Sequence, residues 1–196
     1  MPDVRVRQAD FRDLGAFEND SFDFILATDN VIDALSHEGR LAAMREAARV
    51  LRMGGVLMFS SHNLRYRHAF SGPRMTWSKN PVRLAKGAVR FVLSWWNHAR
   101  VRSLRRIGPD YALLNDPGHS FGCLHYYTAR SVVKAQLQNA GMCLLEAYDF
   151  DGHVLTECDD DSQSPSLTYI AQLSSRTDAS PSRDLTPEPE RVLPVS

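Results

Sequence analysis

The groups of this chain that could move a proton or hold a polar ligand are four histidines, His37, His62, His119 and His125, together with Asp29 and Asp33. An imidazole gives or takes a proton near neutral pH, and a neighbouring carboxylate can orient it. No nucleophile constellation accompanies them, since GxSxG, HExxH and paired-carboxylate spacings are all absent. The three cysteines, Cys123, Cys143 and Cys158, are widely spaced without a CxxC pair, which reads as reduced thiols and not as a disulfide framework or zinc ribbon. Three successive aspartates in the segment CDDDSQSP lack the alternation and distal glutamate of a calcium loop and read as a solvated turn, so no metal is expected. Each histidine or aspartate taken alone is ordinarily a cap or a structural partner. Position must choose among them.

Position is set by the stretch Ser21 to Asn63. Phe22 to Ala27 is a short apolar run that reads as a buried strand, and the polar turn Thr28-Asp29-Asn30 follows it. From about Gly39 to Leu51, apolar residues at 41, 44, 47, 48 and 51 keep helical spacing, with Gly54-Gly55 as the expected stop and Val56 to Phe59 as a second strand. Strand, helix and strand make a βαβ unit with parallel strands and a right-handed crossover. Ligands of such sheets sit beyond the carboxyl ends of the strands, which puts Thr28 to Asp33 and Ser60 to Asn63 on one rim. Asn30 is then expected to contact a ligand, with Ile32 in the cleft wall and Asp33 as polar support. His62 and Asn63, leaving the second strand on that rim, have the best positional case for a base and an acceptor contact. His125 and Tyr126, just before another helix, come next.

The sequence FDFI, a polar turn, a helix ending in REAARVLRMGG and the strand LMFSSHN resemble the fourth strand, following helix and fifth strand of class I S-adenosylmethionine-dependent methyltransferases. The family usually writes the turn Lys/Arg-Pro-Gly-Gly, where this chain has Arg52-Met53-Gly54-Gly55. The resemblance implies a partial Rossmann-like α/β fold: a mostly parallel sheet with a C-terminal antiparallel hairpin and a helical insertion. It implies S-adenosyl-L-methionine as cofactor and methyl transfer to a small-molecule acceptor, for which position on the rim offers His62, Asp33 and His125 as catalytic candidates and Asn63 and Tyr126 as acceptor contacts. Cofactor contacts fall to Thr28, Asp29 and Asn30, and to Asp10 and Phe11, which occupy the place where the family holds the adenine ring. On the residues alone, Asp10 could equally cap its turn and Phe11 fill core. The family's glycine-rich loop is missing, because no GxGxG or GxGxxG occurs. The chain is therefore expected to be a fragment or truncated member with impaired cofactor binding.

Net charge is zero, but it is segregated. Residues 63–109 carry eleven Lys/Arg and no Asp/Glu, whereas residues 110–196 carry five against thirteen. Within the basic block, Val82, Ala85, Val89, Val92, Trp96 and Ala99 keep helical spacing beside Arg83, Lys86 and Arg90, predicting a basic amphipathic helix from Pro81 to about Leu104. Residues 64–120 are read as an inserted lid between core portions 1–63 and 121–173, and 174–196 as a disordered tail. A half-exposed strand is expected at Val4–Arg7, a turn-rich loop at Gly108–Gly122, a helix capped by Thr128, and strands at Met142–Tyr148 and Ser166–Leu173. With no signal-peptide core and no long apolar run, a cytoplasmic protein is expected. Two other classes stay open: a non-catalytic remnant of the fold, and a binding module that presents the basic helix 81–106 to nucleic acid or an anionic membrane.

Overall fold

Phe22–Ala27 (β1) and Leu51–Asn63 (β2) run parallel in the computed structural model, which describes residues 6–174. Between them lie a 3-10 turn, Val31–Ala34, and the helix His37–Val50 (α1). Ser36 starts α1 by accepting the Gly39 N–H on its hydroxyl, and the helix buries Ala43, Met44, Ala47 and Val50 against the sheet. The end of α1 differs from expectation. Val50 is its last residue and β2 begins at Leu51, so the glycines lie inside the strand and do not stop the helix. Phe22 pairs with Leu51 and Phe24 with Val56, which throws residues 52–55 out as a bulge. Gly54 has φ +80°, and a Cβ at Gly55 would meet the Arg52 carbonyl oxygen at 2.8 Å, so both glycines serve this bulge. Nor is β1 fully buried as expected: Phe24 is 51% and Leu26 57% exposed. Among the described residues β1 pairs only with β2, so its other edge is open.

The helix Pro81–Val101 (α2) is present, with Asn80 capping the Val82 and Arg83 N–H groups. The loop expected after it contains strands instead. Arg106–Ile107 (β3) and Tyr111–Leu114 (β4) form a hairpin, and β4 pairs antiparallel with His125–Thr128 (β5). The basic segment thus re-enters the sheet. Ala129, not Thr128, precedes the helix Arg130–Asn139 (α3), because the Thr128 hydroxyl is spent on the Asp110 carbonyl at 2.9 Å. Met142–Tyr148 (β6) and Ser166–Leu173 (β7) have the expected limits. β7 lies between β2 and β6, antiparallel to both. Parallel pairing is confined to β1 with β2 and β2 with β5. Of the strand expected at Val4–Arg7, Val4 and Arg5 lie outside the described residues, and Val6 and Arg7 belong to no strand. Residues 175–196 also lie outside the described residues.

The register of β2 creates the site. β7 pairs with Val56–His62, while β1 reaches Phe59 and β5 takes only His62 and Asn63. Since β1 and β5 both face the edge opposite β7, they lie in tandem with a gap at Ser60 and Ser61. The turn after β1 plugs that gap. The main core lies beneath, built from Ile32, Met44, Ala47, Leu51, Leu57, Phe59, Leu137 and Tyr169 among others.

Candidate active site

Asp29 and Asn30 both adopt left-handed backbone, φ 57° and 55°, and this turns the chain from the end of β1 across the gap in β2. The Asn30 N–H donates to Ser60 Oγ at 2.8 Å, locking the turn to the strand. The following 3-10 turn drives the Asp33 carboxylate into the gap. There it accepts from the His62 backbone N–H at 2.6 Å and from Ser61 Oγ at 2.8 Å, replacing strand partners that neither β1 nor β5 supplies. Arg40, entirely buried in α1, donates to the same carboxylate at 2.5 Å and to Gln136 Oε1 at 3.1 Å, with its guanidinium 4.7 Å from the centre of the Tyr126 ring. A buried carboxylate is tolerated because it is paired and fully hydrogen-bonded.

Asp33 also fixes the imidazole of His62. Its Oδ2 lies 2.8 Å from Nδ1, so in the neutral ring Nδ1 carries the proton and Nε2 is left as the acceptor. Asn30 Nδ2 is 3.3 Å from that Nε2. Beyond it, Asp116 Oδ2 lies 3.6 Å from His62 Nε2 and accepts from His125 Nδ1 at 2.9 Å and from the Tyr127 hydroxyl at 2.8 Å. The His62 and His125 rings stack with centroids 5.2 Å apart. Burial raises the Asp116 carboxyl, but the bonds from His125 and Tyr127 outweigh it and hold it below the usual carboxylate range. His125 is pushed above its ordinary value by its hydrogen bond to Asp116, against an opposing effect of burial. The Tyr127 hydroxyl is driven far up, first by burial and then by Asp116. His125 and Asp116 are therefore held together through Nδ1, in a pairing that favours the charged imidazole, beside a histidine held in one tautomer.

These groups open on a cavity of about 730 Å³. Asp29, Asn30, His62, Asp116, His125 and Tyr127 line its rim side, and Gly87, Arg90, Phe91 and Ser94 of α2 line the opposite side. Asn30 Oδ1 is buried there without a hydrogen-bond partner among the described residues. The donor atoms of His62, Asp116 and His125 lie within 4.8 Å of one another, a spacing a metal ion could use, although in this structure Asp116 is bonded to His125 and Tyr127, and His62 to Asp33 and Asn30.

The remaining sequence candidates lie elsewhere. Tyr126 is turned inward, fully buried, its hydroxyl 2.9 Å from His37 Nδ1 and pushed up to about 12, chiefly by burial. Its neighbour Tyr127 faces the cavity, as the alternation of a strand requires. Asn63 is fully buried and latches the loop before β7, donating to the Asp161 and Ser164 carbonyls. Ile32 is core. Thr28 is exposed and outside the cavity lining. Asp10 is paired with Arg12 at 2.7 Å on the surface, and Phe11 packs against the main core. His37 stacks on Tyr111, whereas His119 does line the cavity, 5.9 Å from His125. Sequence reasoning missed Asp116, Tyr127 and Arg40. The Asp-Pro-Gly of NDPGHS was a turn signal, and nothing local marked its aspartate as a partner of His62.

The family described as "Methyltransferase domain" matches residues 1–59. Among solved structures, an S-adenosylmethionine-dependent methyltransferase from Clostridium acetobutylicum is similar at 12% identity and TM-score 0.53, covering 88% of this chain and 66% of its own. One from Mesorhizobium loti is similar at 13% identity and TM-score 0.50, covering 85% of this chain and 68% of its own. This is the class I methyltransferase fold. The chain thus spans about two thirds of the length of these methyltransferases, and β1, β2, β7 and β6 stand side by side in its sheet. No curated protein sequence matches the chain. The resemblance read from FDFI and RVLRMGG falls largely inside the matched residues 1–59. No helix of the described residues is long and apolar enough to cross a membrane.

Proposed function

We propose that this chain takes part in S-adenosylmethionine-dependent methyl transfer to a small-molecule acceptor held in the cavity between the sheet rim and α2. The observation that carries this reading is the His62 ring, which lines the cavity and is pinned through Nδ1 by a buried Asp33, leaving Nε2 as its acceptor nitrogen. Bound S-adenosylmethionine would supply a methyl carbon already activated by its sulfonium, leaving the protein to align the acceptor and remove its proton. His62 Nε2 takes that proton from an acceptor oxygen or nitrogen. The imidazolium so formed is stabilised by Asp33 at one nitrogen and by Asp116, 3.6 Å away, at the other. His125, held by Asp116, orients the acceptor from the neighbouring ring position.

The Asp29–Asn30 turn suits the polar end of the cofactor, because Asn30 Oδ1 is buried and unpartnered beside the cavity. Asp10 and Phe11 suit it less as they stand, the first engaged by Arg12 and the second by core. With no glycine-rich loop in the sequence, the chain by itself binds S-adenosylmethionine weakly, each absent charge-assisted hydrogen bond being worth roughly 1.5–3 kcal/mol. The test is transfer of labelled methyl from millimolar S-adenosylmethionine to a panel of phenols, imidazoles and amines, with wild type and His62→Gln. Transfer that falls about 10²–10⁴-fold in the variant supports the reading. Transfer unchanged in the variant removes His62 as base, and no transfer with any acceptor favours a non-catalytic remnant of the fold.

A further inference from the structure

The apolar stripe of α2 faces solvent. The helix seats on the domain through its other side: Phe91 and Ser94 face the cavity, His98 meets Phe121 at 5.3 Å between ring centroids, and Asn97 Nδ2 donates to the Ser120 carbonyl at 3.0 Å. Val82, Val89 and Trp96 follow one another at intervals of about two turns on the outer side. They are 63%, 71% and 56% exposed, and Val92 beside them is 66% exposed. Arg83, Lys86 and Arg90 run along one flank, Arg90 at its border with the cavity that it also lines, and none of them makes an ion pair among the described residues. Arg100 lies over the Trp96 ring at 4.6 Å. Over residues 63–109 there are eleven Lys/Arg and no carboxylate side chain.

Two requirements define the occupant of this surface. It must accept a row of aliphatic and indole side chains, and it must be negatively charged. A second copy of the same face meets the first requirement but sets cations against cations, with no acidic residue in the block to neutralise them. A nucleic acid meets the second but leaves Val82, Val89 and Val92 in water. An anionic bilayer meets both, with the apolar side among the acyl chains and the cations at the phosphates. We infer that α2 is a membrane-surface helix that docks this chain on anionic lipid. At about 1.5 Å per residue it extends roughly 32 Å along the bilayer plane. The inference does not depend on methyl transfer, since docking is read without cofactor.

Vesicles of phosphatidylglycerol and phosphatidylcholine in equal parts, and of phosphatidylcholine alone, separate the two requirements. The full chain is expected to sediment with the anionic vesicles and not with the neutral ones, with a blue shift of tryptophan emission and quenching by brominated acyl chains. Replacing cations, Arg83→Gln/Lys86→Gln/Arg90→Gln, should weaken binding about fivefold per charge, on the order of 100-fold in all. Val89→Ser/Val92→Ser/Trp96→Ser should abolish the lipid quenching, while unchanged circular dichroism shows that the chain still folds. Equal binding to both vesicle types, or no binding to either, overturns the proposal. So does tighter binding to a single-stranded RNA that the apolar variant leaves unchanged, or self-association that this variant removes without vesicle binding.

Discussion

Helix α1 buries Ala43, Met44, Ala47 and Val50 against the sheet, whereas α2, half again as long, buries only Ser94. Both helices carry apolar residues at three-four spacing. In α1 that stripe is core, and the charged residue that joins it, Arg40, is neutralised by Asp33 and donates a further hydrogen bond to Gln136. In α2 the stripe is surface, and the opposite side, with Gly87, Phe91 and Ser94, lines a cavity and not a packed core. Periodicity therefore identifies a helix with two unlike faces without saying which face the fold covers. What decides it here is the rest of the chain: α1 bridges parallel strands that it must cover, whereas α2 leaves the sheet and returns as an edge hairpin.

The comparison breaks most easily at Arg40. Arg40→Met strands the buried Asp33 carboxylate, and urea unfolding should show a loss of about 3–5 kcal/mol. Matched truncations sharpen the contrast: Met44→Ala in α1 should cost about 2–5 kcal/mol, and Val92→Ala in α2 within about 0.5 kcal/mol. Equal costs would mean that α2 packs its stripe in solution. Where α2 faces the rim, the effect expected is electrostatic. His125 is raised, so its pairing contributes fully below its ordinary pKa of 6.5 and is lost as pH rises through the higher folded value. Asp116 is lowered, so the same pair is lost at acid pH as its carboxyl protonates below 3.8. Ring NMR should find the His125 midpoint above 6.5, and Asp116→Asn should bring it down. A midpoint unmoved by that substitution would break the assigned pairing.

Much of the sheet was legible because its signals are local. β6 and β7 are bounded by turn residues, and the βαβ unit is written in one continuous stretch. The half of the site on that unit, Asp29, Asn30, Asp33 and His62, followed from the rule that ligands gather at strand ends. The other half did not. β4 has four residues amid glycine, proline and aspartate, and only pairing with β5 makes it a strand. Asp116 gains its role from a contact with His62 across 54 positions of sequence, and no local pattern encodes that. Choosing between Tyr126 and Tyr127 required the strand's facing, which a four-residue segment leaves open. Burial of Arg40 was hidden because charge ordinarily signals surface.

The measurement that bears most directly on the site is an NMR titration of the histidine rings and the Asn30 side-chain amide with S-adenosylhomocysteine to millimolar concentration. His62 and Asn30 should shift together, with a midpoint in the millimolar range, while His37 and His153 stay still. Saturation at micromolar concentration would contradict the weak binding. Shifts confined to residues away from His62 and Asn30 would contradict the assignment of this cavity to methyl transfer.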